Sequence, residues 1–397
     1  MEKLLIESQE KVRKVNLTFK RYLHNKINWN NRLIAIKGAR GSGKTTIILQ
    51  YIRENLPVDQ SVLYIPLDHI YFYTNSLMGL VERFVLNGGR YLFLDEIHKY
   101  PNWSRELKLI YDRYDEISVV FTSSSILEIF KGESDLSRRV ISYNLHELSL
   151  REFIELESGI KLPIVLLDEI IGNQAAVIAE IISKVKPIFE LGKFMKYGAY
   201  PFFKEGIDEY DGRLKNVVNM IIENDLPAAY TIDFKQITKL KKLLYAVSTS
   251  VPFKPNISKL SEKIEVTRPT LLQFLDYLDK ARLIMQLHSQ AKGMSAMNKP
   301  EKIYLQNTNL IHHISQNNSN IGNIRETFFL NQIIEKHNVG YSGQGDFFVD
   351  DKYTFEIGGK GKSQKQIGGL ENAFIVKDDI ETGIMNIIPL WLFGFLF

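Results

Sequence analysis

Short apolar runs alternate with segments of helical periodicity over the first 150 residues of the chain. Uninterrupted apolar character over a few residues is typical of strands that are buried on both faces of a parallel sheet. Apolar residues three and four positions apart predict helices that cover such a sheet, as at Leu77, Leu80, Val81, Phe84 and Val85. Strands are expected at 32–37, 61–68, 90–98, 116–125 and 140–145. The pattern predicts an α/β fold around a parallel sheet.

The first predicted strand leads into Gly-Ala-Arg-Gly-Ser-Gly-Lys-Thr-Thr at 38–46, a Walker A sequence. Its glycines allow a tight turn whose N–H groups point at phosphate oxygens. Lys44 supplies positive charge to the β- and γ-phosphates, and Thr45 supplies a hydroxyl to Mg²⁺. A helix over 45–52 would place its N-terminus at the anion. The expected nucleotide-binding residues are Gly38, Ala39, Arg40, Gly41, Ser42, Gly43, Lys44, Thr45 and Thr46.

A pair of carboxylates ends the third predicted strand, roughly fifty residues after Lys44. We expect Asp95 to orient the Mg²⁺ shell together with Thr45, and Glu96 to polarise the attacking water. Two acids can also end a strand without any catalytic role. The distance from the glycine-rich loop favours a Walker B motif. ATP and Mg²⁺ are therefore the expected ligands.

The predicted strand at 116–125 ends in hydroxyl groups. In P-loop ATPases with one extra strand between the Walker motifs, this strand lies beside both motifs. A polar residue at its tip can touch the water or the γ-phosphate, and Ser123 and Ser124 are the candidates. Serines also begin helices, so Ser124 or Ser125 can equally cap a helix over 126–130.

Arg138 and Arg139 precede the last predicted strand of this region. Paired arginines at this place can reach a phosphate in a neighbouring subunit, as an arginine finger does. They can equally form a solvated turn. A finger would require a homo-oligomer.

From 156 to 234 the pattern is helical with few turn signals, apart from a break at 192–201. This is consistent with a helical lid over the nucleotide. Residues 256–284 then predict a helix-turn-helix, with Ser258 and Thr267 as caps and Pro269 in the first turn of the second helix. The expected buried stripe consists of Leu271, Leu275 and Leu278.

The opposite face of the second helix presents polar side chains suited to reading a DNA groove: Arg268, Thr270, Gln273, Tyr277 and Lys280. However, Asp276 and Asp279 lie among them, and each acid would repel phosphate. Such domains in ATPases also act as lids or as surfaces for protein partners. Duplex DNA and a protein partner both remain candidates.

The bulk composition changes the picture in few places. At 397 residues the chain is expected to contain two to four domains. A net charge of +4 permits nucleic-acid binding without arguing for it, and the absence of cysteine excludes disulfides and thiolate metal sites.

The apolar segment 386–397 is too short to span a bilayer and is expected to be a buried terminal strand. With no signal-peptide pattern, we expect a cytoplasmic protein without a membrane partner.

Together the motifs resemble the prokaryotic AAA-type ATPases that carry a C-terminal domain of unknown function and are common in Bacteroides-like bacteria and archaea. The resemblance covers nearly the whole chain. It rests on 38–45, 92–98 followed by Trp103, 122–125, 136–140, 148–153, 197–201, 302–305 and 388–396. It implies an AAA-like domain, a winged helix and a tail similar to the restriction-endonuclease fold.

The chain departs from this group at several positions. Thr-Ser-Ser at 122–124 stands where the group has Thr-Gly-Ser, and Arg138 stands where it has glycine before arginine. Arg139 is therefore the preferred finger candidate. Asn307 and Asn309 occupy positions of the group's Asp and Gly.

The implied nuclease-like tail has a partial set of catalytic residues. Asp346 and Glu356 match the metal-binding acids, and Glu326 lies on a predicted helix. The position of the catalytic lysine is Gly358, although Lys360 or Lys362 can reach in from the next turn. The alternative is a fold that is retained for binding after its chemistry was lost, and we expect the domain to be inactive.

The predicted organisation is an AAA-like P-loop core at 1–155, a helical lid at 156–235, a winged helix at 236–300 and an α+β restriction-endonuclease-like domain at 301–397. The predicted function is Mg²⁺-dependent ATP hydrolysis, coupled to DNA through the winged helix. One alternative is a slow nucleotide-gated switch that presents its C-terminal domains to a protein partner. A second alternative is an ATP-regulated nuclease.

Overall fold

The computed structural model describes residues 1–123, 136, 138–249, 254–289, 299–315, 320–341, 343–362 and 367–397. The chain divides into two compact units, Met1–Glu147 and Leu148–Phe397. Each unit contains its own five-stranded sheet. No helix in the described parts of the chain is long and apolar enough to cross a membrane.

The first unit is an α/β structure in which helices alternate with strands. Its strands are β1 (Leu33–Gly38), β2 (Val62–Pro66), β3 (Tyr91–Asp95), β4 (Ser118–Ser123) and β5 (Ile141–Leu145). Its helices are α1 (Glu2–Lys14), α2 (Lys44–Asn55), α3 (Leu77–Leu86) and α4 (Trp103–Arg113), with 3₁₀ turns at Ile70–Tyr73 and Ile97–Lys99. All five predicted strands of this region are confirmed; β1 is shifted by one residue, and the other four are shorter than predicted.

The sheet of the first unit is parallel, in the order β2-β3-β4-β1-β5. Strand β4 lies between β1 and β3, as expected for a P-loop ATPase with one extra strand. Because the carboxyl ends of parallel strands meet at one edge, the ends of β1, β3 and β4 lie side by side there. The register confirms this, since Lys37 pairs with Ser123 and Leu94 pairs with Phe121.

The second unit begins with helices. They are α5 (Leu150–Ser158), α6 (Leu167–Gly172), α7 (Gln174–Ile182), α8 (Pro187–Lys193), α9 (Tyr210–Met220), α10 (Leu226–Ala229), α11 (Phe234–Ser248), α12 (Ile257–Ile264), α13 (Arg268–Lys280), α14 (Thr308–Ser315) and α15 (Ile321–Ile333). Strands β6 (Ile284–Leu287) and β7 (Lys302–Leu305) form an antiparallel pair after α13.

The predicted break at 192–201 corresponds to a π-helix at Phe194–Gly198 and a 3₁₀ helix at Pro201–Glu205. Asn309 holds this irregular segment in place. Its Nδ2 donates to the carbonyls of Phe194 and Met195 at 2.9 and 3.0 Å. Its Oδ1 accepts from the Ala199 N–H at 2.8 Å and from the Tyr210 hydroxyl at 2.5 Å. A buried amide with all four bonds made stabilises a backbone that would otherwise leave carbonyls unpaired.

The helix pair α12–α13 follows the prediction with one correction. Thr267 caps α13 by accepting the Thr270 N–H at 3.3 Å, Pro269 lies in the first turn, and the three-leucine stripe is fully buried. Ser258 does not cap α12. Asn256 does, because its extended backbone directs Oδ1 at the Lys259 N–H, 3.1 Å away.

The second five-stranded sheet is mixed, in the order β12-β11-β10-β9-β8. Its strands are β8 (Val339–Gly340), β9 (Phe347–Val349), β10 (Tyr353–Gly358), β11 (Ala373–Lys377) and β12 (Ile387–Pro389). The prediction of a terminal strand over 386–397 is wrong in extent, because only Ile387–Pro389 form a strand. Pro389 has no N–H to continue the ladder, so the chain turns into a 3₁₀ helix, Leu390–Phe395, which is entirely buried.

Candidate nucleotide-binding site

The loop between β1 and α2 has the backbone of a phosphate-binding loop. Gly41 and Gly43 have φ angles of 80° and 96°, in the left-handed region that favours glycine. At Gly38 a Cβ atom would lie 2.4 Å from the Leu145 carbonyl oxygen, so only glycine fits. The hydroxyl of Ser42 is buried without a hydrogen-bond partner among the described residues. The loop therefore offers a polar cradle to a ligand.

Lys44 lies within this loop. Its ammonium donates to the carbonyls of Gly38 and Ala39 at 3.0 and 2.9 Å, and the residue is 5% exposed. Thr45 and Thr46 follow on the first turn of α2, where Thr46 points to solvent. A buried ammonium at the start of a helix is suited to an anionic ligand.

Arg21 supports the loop from outside the motif. Its guanidinium donates to the carbonyl of Ser42, and also to those of His146 and Glu147 at 2.7 and 3.0 Å. The residue is 4% exposed. These bonds join the loop to the chain that follows β5. Arg21 was not predicted, because it precedes β1 and belongs to no motif.

Asp95, at the end of β3, accepts three side-chain hydrogen bonds. Its Oδ2 accepts from Thr45 and from Tyr64, both at 2.7 Å, and its Oδ1 accepts from Thr122. Burial, followed by the charge of Asp95, raises the pKa of Tyr64, which keeps the phenol a donor. Three elements thus fix one carboxylate. Tyr64 and Thr122 were not predicted, although both lie on strands beside β3.

Glu96 stands next to Asp95 with a left-handed backbone, φ 54°. Its N–H donates to Thr122 Oγ1 at 3.1 Å. Its Oε2 lies 3.7 Å from Nη2 of Arg40 and 3.4 Å from Nε2 of His98. The predicted loop arginine and the predicted water-polarising acid are therefore neighbours.

His98 connects Glu96 to the tip of β4. Its Nδ1 lies 3.0 Å from Ser123 Oγ, and its Nε2 makes no hydrogen bond of good geometry although Glu96 is near. Burial, followed by the charges of Lys99, Arg40 and Lys44, lowers the pKa of His98 to about 3. The ring is neutral at physiological pH. With a carboxylate beside Nε2, the proton belongs on Nε2, and Ser123 then donates to Nδ1.

Two predicted residues remain to be located. Ser124 lies outside the described residues. Arg139 forms a two-bond ion pair with Asp112 of α4, at 2.8 and 3.0 Å, on the surface of the same unit.

The acids of the second sheet have cations of the chain as partners. Lys302 Nζ lies 3.1 Å from Glu326 Oε2 and 2.9 Å from Asp346 Oδ1. Burial alone would lower the pKa of Lys302, but the two carboxylates outweigh it and raise that pKa. Glu356 pairs with Lys362, which resolves the choice between Lys360 and Lys362.

No group of three or more His, Asp or Glu side chains in the described parts of the chain is arranged to hold a metal. At the acids of the second sheet, the ammonium of Lys302 lies between Glu326 and Asp346. This set of side chains therefore does not fit a nuclease metal.

Residues 30–154 match the family model of an AAA domain, and residues 189–321 match a domain of unknown function, DUF8612. The first match covers β1 to β5 with the loop, Asp95 and Glu96. Residues 30–154 therefore form an AAA-type P-loop domain.

Two uncharacterized proteins of Methanocaldococcus jannaschii are similar to this chain. One is 26% identical over 70% of the chain, and the other is 23% identical over 65%. The chain spans 61% and 57% of the lengths of these relatives. A Walker-type ATPase of Pyrococcus abyssi covers 75% of this chain and 96% of its own, with 11% identity and a TM-score of 0.48.

Proposed function

We propose that the protein binds ATP with Mg²⁺ and hydrolyses it at the carboxyl edge of the first sheet. One observation carries the proposal. The Thr45 hydroxyl and the Asp95 carboxylate are in contact, 2.7 Å apart, directly beside the loop that holds Lys44. This is the combination of groups that a nucleotide and its metal require.

The side chains available beside the loop fit Mg²⁺. The ion prefers oxygen ligands and keeps waters and phosphate oxygens in its shell, so one hydroxyl and one carboxylate from the protein suffice. Thr45 would bind it directly, and Asp95 would orient its shell. When bound, Mg²⁺ supplies charge that stabilises the phosphates.

The remaining groups of the chain act on phosphate and water. Lys44 and the loop N–H groups would hold the β- and γ-phosphates, and Glu96 would accept a proton from the attacking water. Neutral His98 would hold Glu96 in position, with its own ring fixed by Ser123. In this proposal Ser123 acts through His98 rather than on the phosphate itself.

Arg139 remains a candidate finger for a neighbouring subunit. Its present partner, Asp112, is an exposed acid, and an exposed ion pair contributes little because solvent screens it. A phosphate with its larger charge could therefore displace Asp112 at small cost.

Nucleotide binding tests the proposal. A fluorescent ATP analogue should bind the wild type with Mg²⁺ present, bind Lys44→Ala at least about 100-fold more weakly, and bind Thr45→Ala with reduced dependence on Mg²⁺. Lys108→Ala removes an exposed lysine from α4 and should leave affinity unchanged. Equal affinity of Lys44→Ala and the wild type would contradict the proposal.

The charge of residues 236–300 favours a second function, which is DNA binding through a winged helix. This segment contains eleven Lys and Arg against four Asp and Glu, an excess of seven, whereas the whole chain has a net charge of +4. The helices α12 and α13 and the β6–β7 pair have the order of such a domain. We therefore propose that the ATPase is coupled to duplex DNA.

The two acids that weighed against DNA contact have other partners. Asp276 pairs with Lys280 at 2.8 Å. Asp279 accepts the Gln286 N–H at 3.3 Å, and burial raises its pKa to about 6. The groove-reading face is also smaller than expected, because Tyr277 is buried and stacks on Tyr230 with centroids 3.9 Å apart.

A further inference from the structure

A polar cavity of about 300 Å³ opens beside the α12–α13 pair in the second unit. Three cationic side chains line it, and they come from separate parts of the chain. Lys254 precedes α12, Arg268 is the first residue of α13, and Lys299 precedes β7. The fold therefore gathers three positive charges around one space.

These cations have no carboxylate partner among the residues that the structure describes. Lys254 lies over the ring of Tyr341, 5.8 Å from its centroid, and no ion pair joins Arg268 or Lys299 to a described acid. Three like charges that converge on one space destabilise one another, and an anion in the cavity would relieve this. The arrangement indicates an anionic ligand.

Other basic residues near this segment differ in this respect. Lys280 pairs with Asp276, Lys241 pairs with Glu223 at 2.5 Å, and Lys239 donates to the Glu265 carbonyl. The charges of these three lysines are partly balanced by acceptors within the chain. The cavity is where three cations without a described carboxylate partner line one space.

The class of anion follows from the surroundings. An interfacial lipid site exposes apolar side chains next to its cations, whereas the described residues between 254 and 315 expose no large hydrophobic side chain. Arg268 at the start of α13 lies where a helix of this motif meets the DNA backbone. We propose that the cavity binds backbone phosphates of duplex DNA through Lys254, Arg268 and Lys299, an inference that rests on the proposed coupling to DNA.

Glu301 allows a test in which DNA binding should become stronger, not weaker. It also lines the cavity, and it is an exposed acid without an ion-pair partner in the described chain. Its charge would repel a phosphate. Glu301→Gln should therefore strengthen DNA binding, whereas loss of any of the three cations should weaken it.

The test is fluorescence anisotropy of a labelled duplex, titrated with the full chain without nucleotide at several salt concentrations. Each of Lys254→Ala, Arg268→Ala and Lys299→Ala should weaken binding about three- to tenfold and lower the salt slope by about 1. Glu301→Gln should tighten binding about two- to threefold. Lys161→Ala, an exposed lysine elsewhere in the second unit, is the charge-matched control.

The outcomes separate the two proposals. If the wild type binds DNA and the cavity variants match Lys161→Ala, the cavity assignment is wrong and DNA coupling stands. If the wild type hydrolyses ATP but does not bind DNA, both the cavity assignment and the coupling fail. Binding to phosphatidylserine vesicles instead of DNA, lost in the same variants, would assign the cavity to a lipid headgroup and overturn the proposal. Circular dichroism and basal ATP hydrolysis should be unchanged in every cavity variant.

Discussion

The phenolic hydroxyl of Tyr64 on β2 donates to Asp95 Oδ2 on β3 at 2.7 Å. The same oxygen accepts from Thr45. In the register of these strands Pro66 is opposite Asp95, so Tyr64 lies two residues back on the same face. A residue outside both Walker motifs therefore orients the carboxylate that we assign to the Mg²⁺ shell.

Tyr64→Phe removes this hydroxyl and keeps the packing of the ring. We expect Mg²⁺ to activate ATP hydrolysis at about 10-fold higher concentration, because loss of an oriented outer partner typically costs 10–100-fold in metal affinity. ATP binding in excess Mg²⁺ should be nearly unchanged. A Mg²⁺ titration of the hydrolysis rate measures this, and an unchanged midpoint would show that Tyr64 only fills space.

His98→Ala should lower kcat about 10- to 100-fold, because Glu96 would lose the ring that lies 3.4 Å from its carboxylate and that we propose to position it. The affinity for ATP should change little, since no hydrogen bond joins His98 to the described residues of the loop that holds Lys44. Ser123→Ala should produce a smaller loss of the same kind, since the ring remains. Single-turnover rates and binding constants measured side by side separate the two effects. An equal loss of affinity in His98→Ala would indicate a structural role.

Buried His98 also predicts a pH dependence of stability. Its pKa is about 3 in the folded chain, against 6.5 for an unperturbed histidine. Below pH 6.5 the unfolded chain binds a proton at His98 that the folded chain does not bind. The free energy of unfolding therefore falls by about 1.4 kcal/mol per pH unit down to about pH 3. Melting curves of His98→Gln and the wild type should therefore converge as the pH falls from 7 to 5. Parallel pH profiles would contradict the assignment.

Asp279 predicts a pH dependence of stability that is opposite in sign to that of His98. Burial raises its pKa from 3.8 to about 6, so the folded chain is disfavoured as the pH rises through this interval. Asp279→Asn keeps an acceptor for the Gln286 N–H and removes the buried charge. The variant should be more stable than the wild type at pH 8 by up to about 3 kcal/mol, and the gain should vanish near pH 4. Urea unfolding at both pH values tests this. Lower stability of the variant at pH 8 would contradict it.

The first sheet was predictable because its apolar runs and its two motifs agree. Buried parallel strands produce a strong signal, and the glycine loop fixes which strand comes first. The place of β4 between β1 and β3 was also predictable, whereas the positions of the two edge strands β2 and β5 were not predicted. The caps and ends were less predictable, since Ser258 and Asn256 are both good caps and only the backbone direction after Pro255 decides between them.

The partners within the site could not be read from the sequence. Arg21 and Tyr64 belong to no sequence motif. Their contacts cross the sheet or join loops that are distant in the sequence. His98 had one signal, its place two residues after the acidic pair, but its bond to Ser123 depends on how β3 and β4 align. The placement of Lys302 between Glu326 and Asp346 likewise depends on three separate elements.

The most direct test of the account is the steady-state rate of ATP hydrolysis by the wild type and by Glu96→Gln, each with Mg²⁺ or with EDTA, and with or without duplex DNA. The account predicts Mg²⁺-dependent hydrolysis that DNA stimulates. It predicts a Glu96→Gln variant that binds ATP normally but hydrolyses it at least about 100-fold more slowly. A slow wild-type rate that DNA does not change would favour the nucleotide-gated switch. Hydrolysis by Glu96→Gln at the wild-type rate would contradict the central claim.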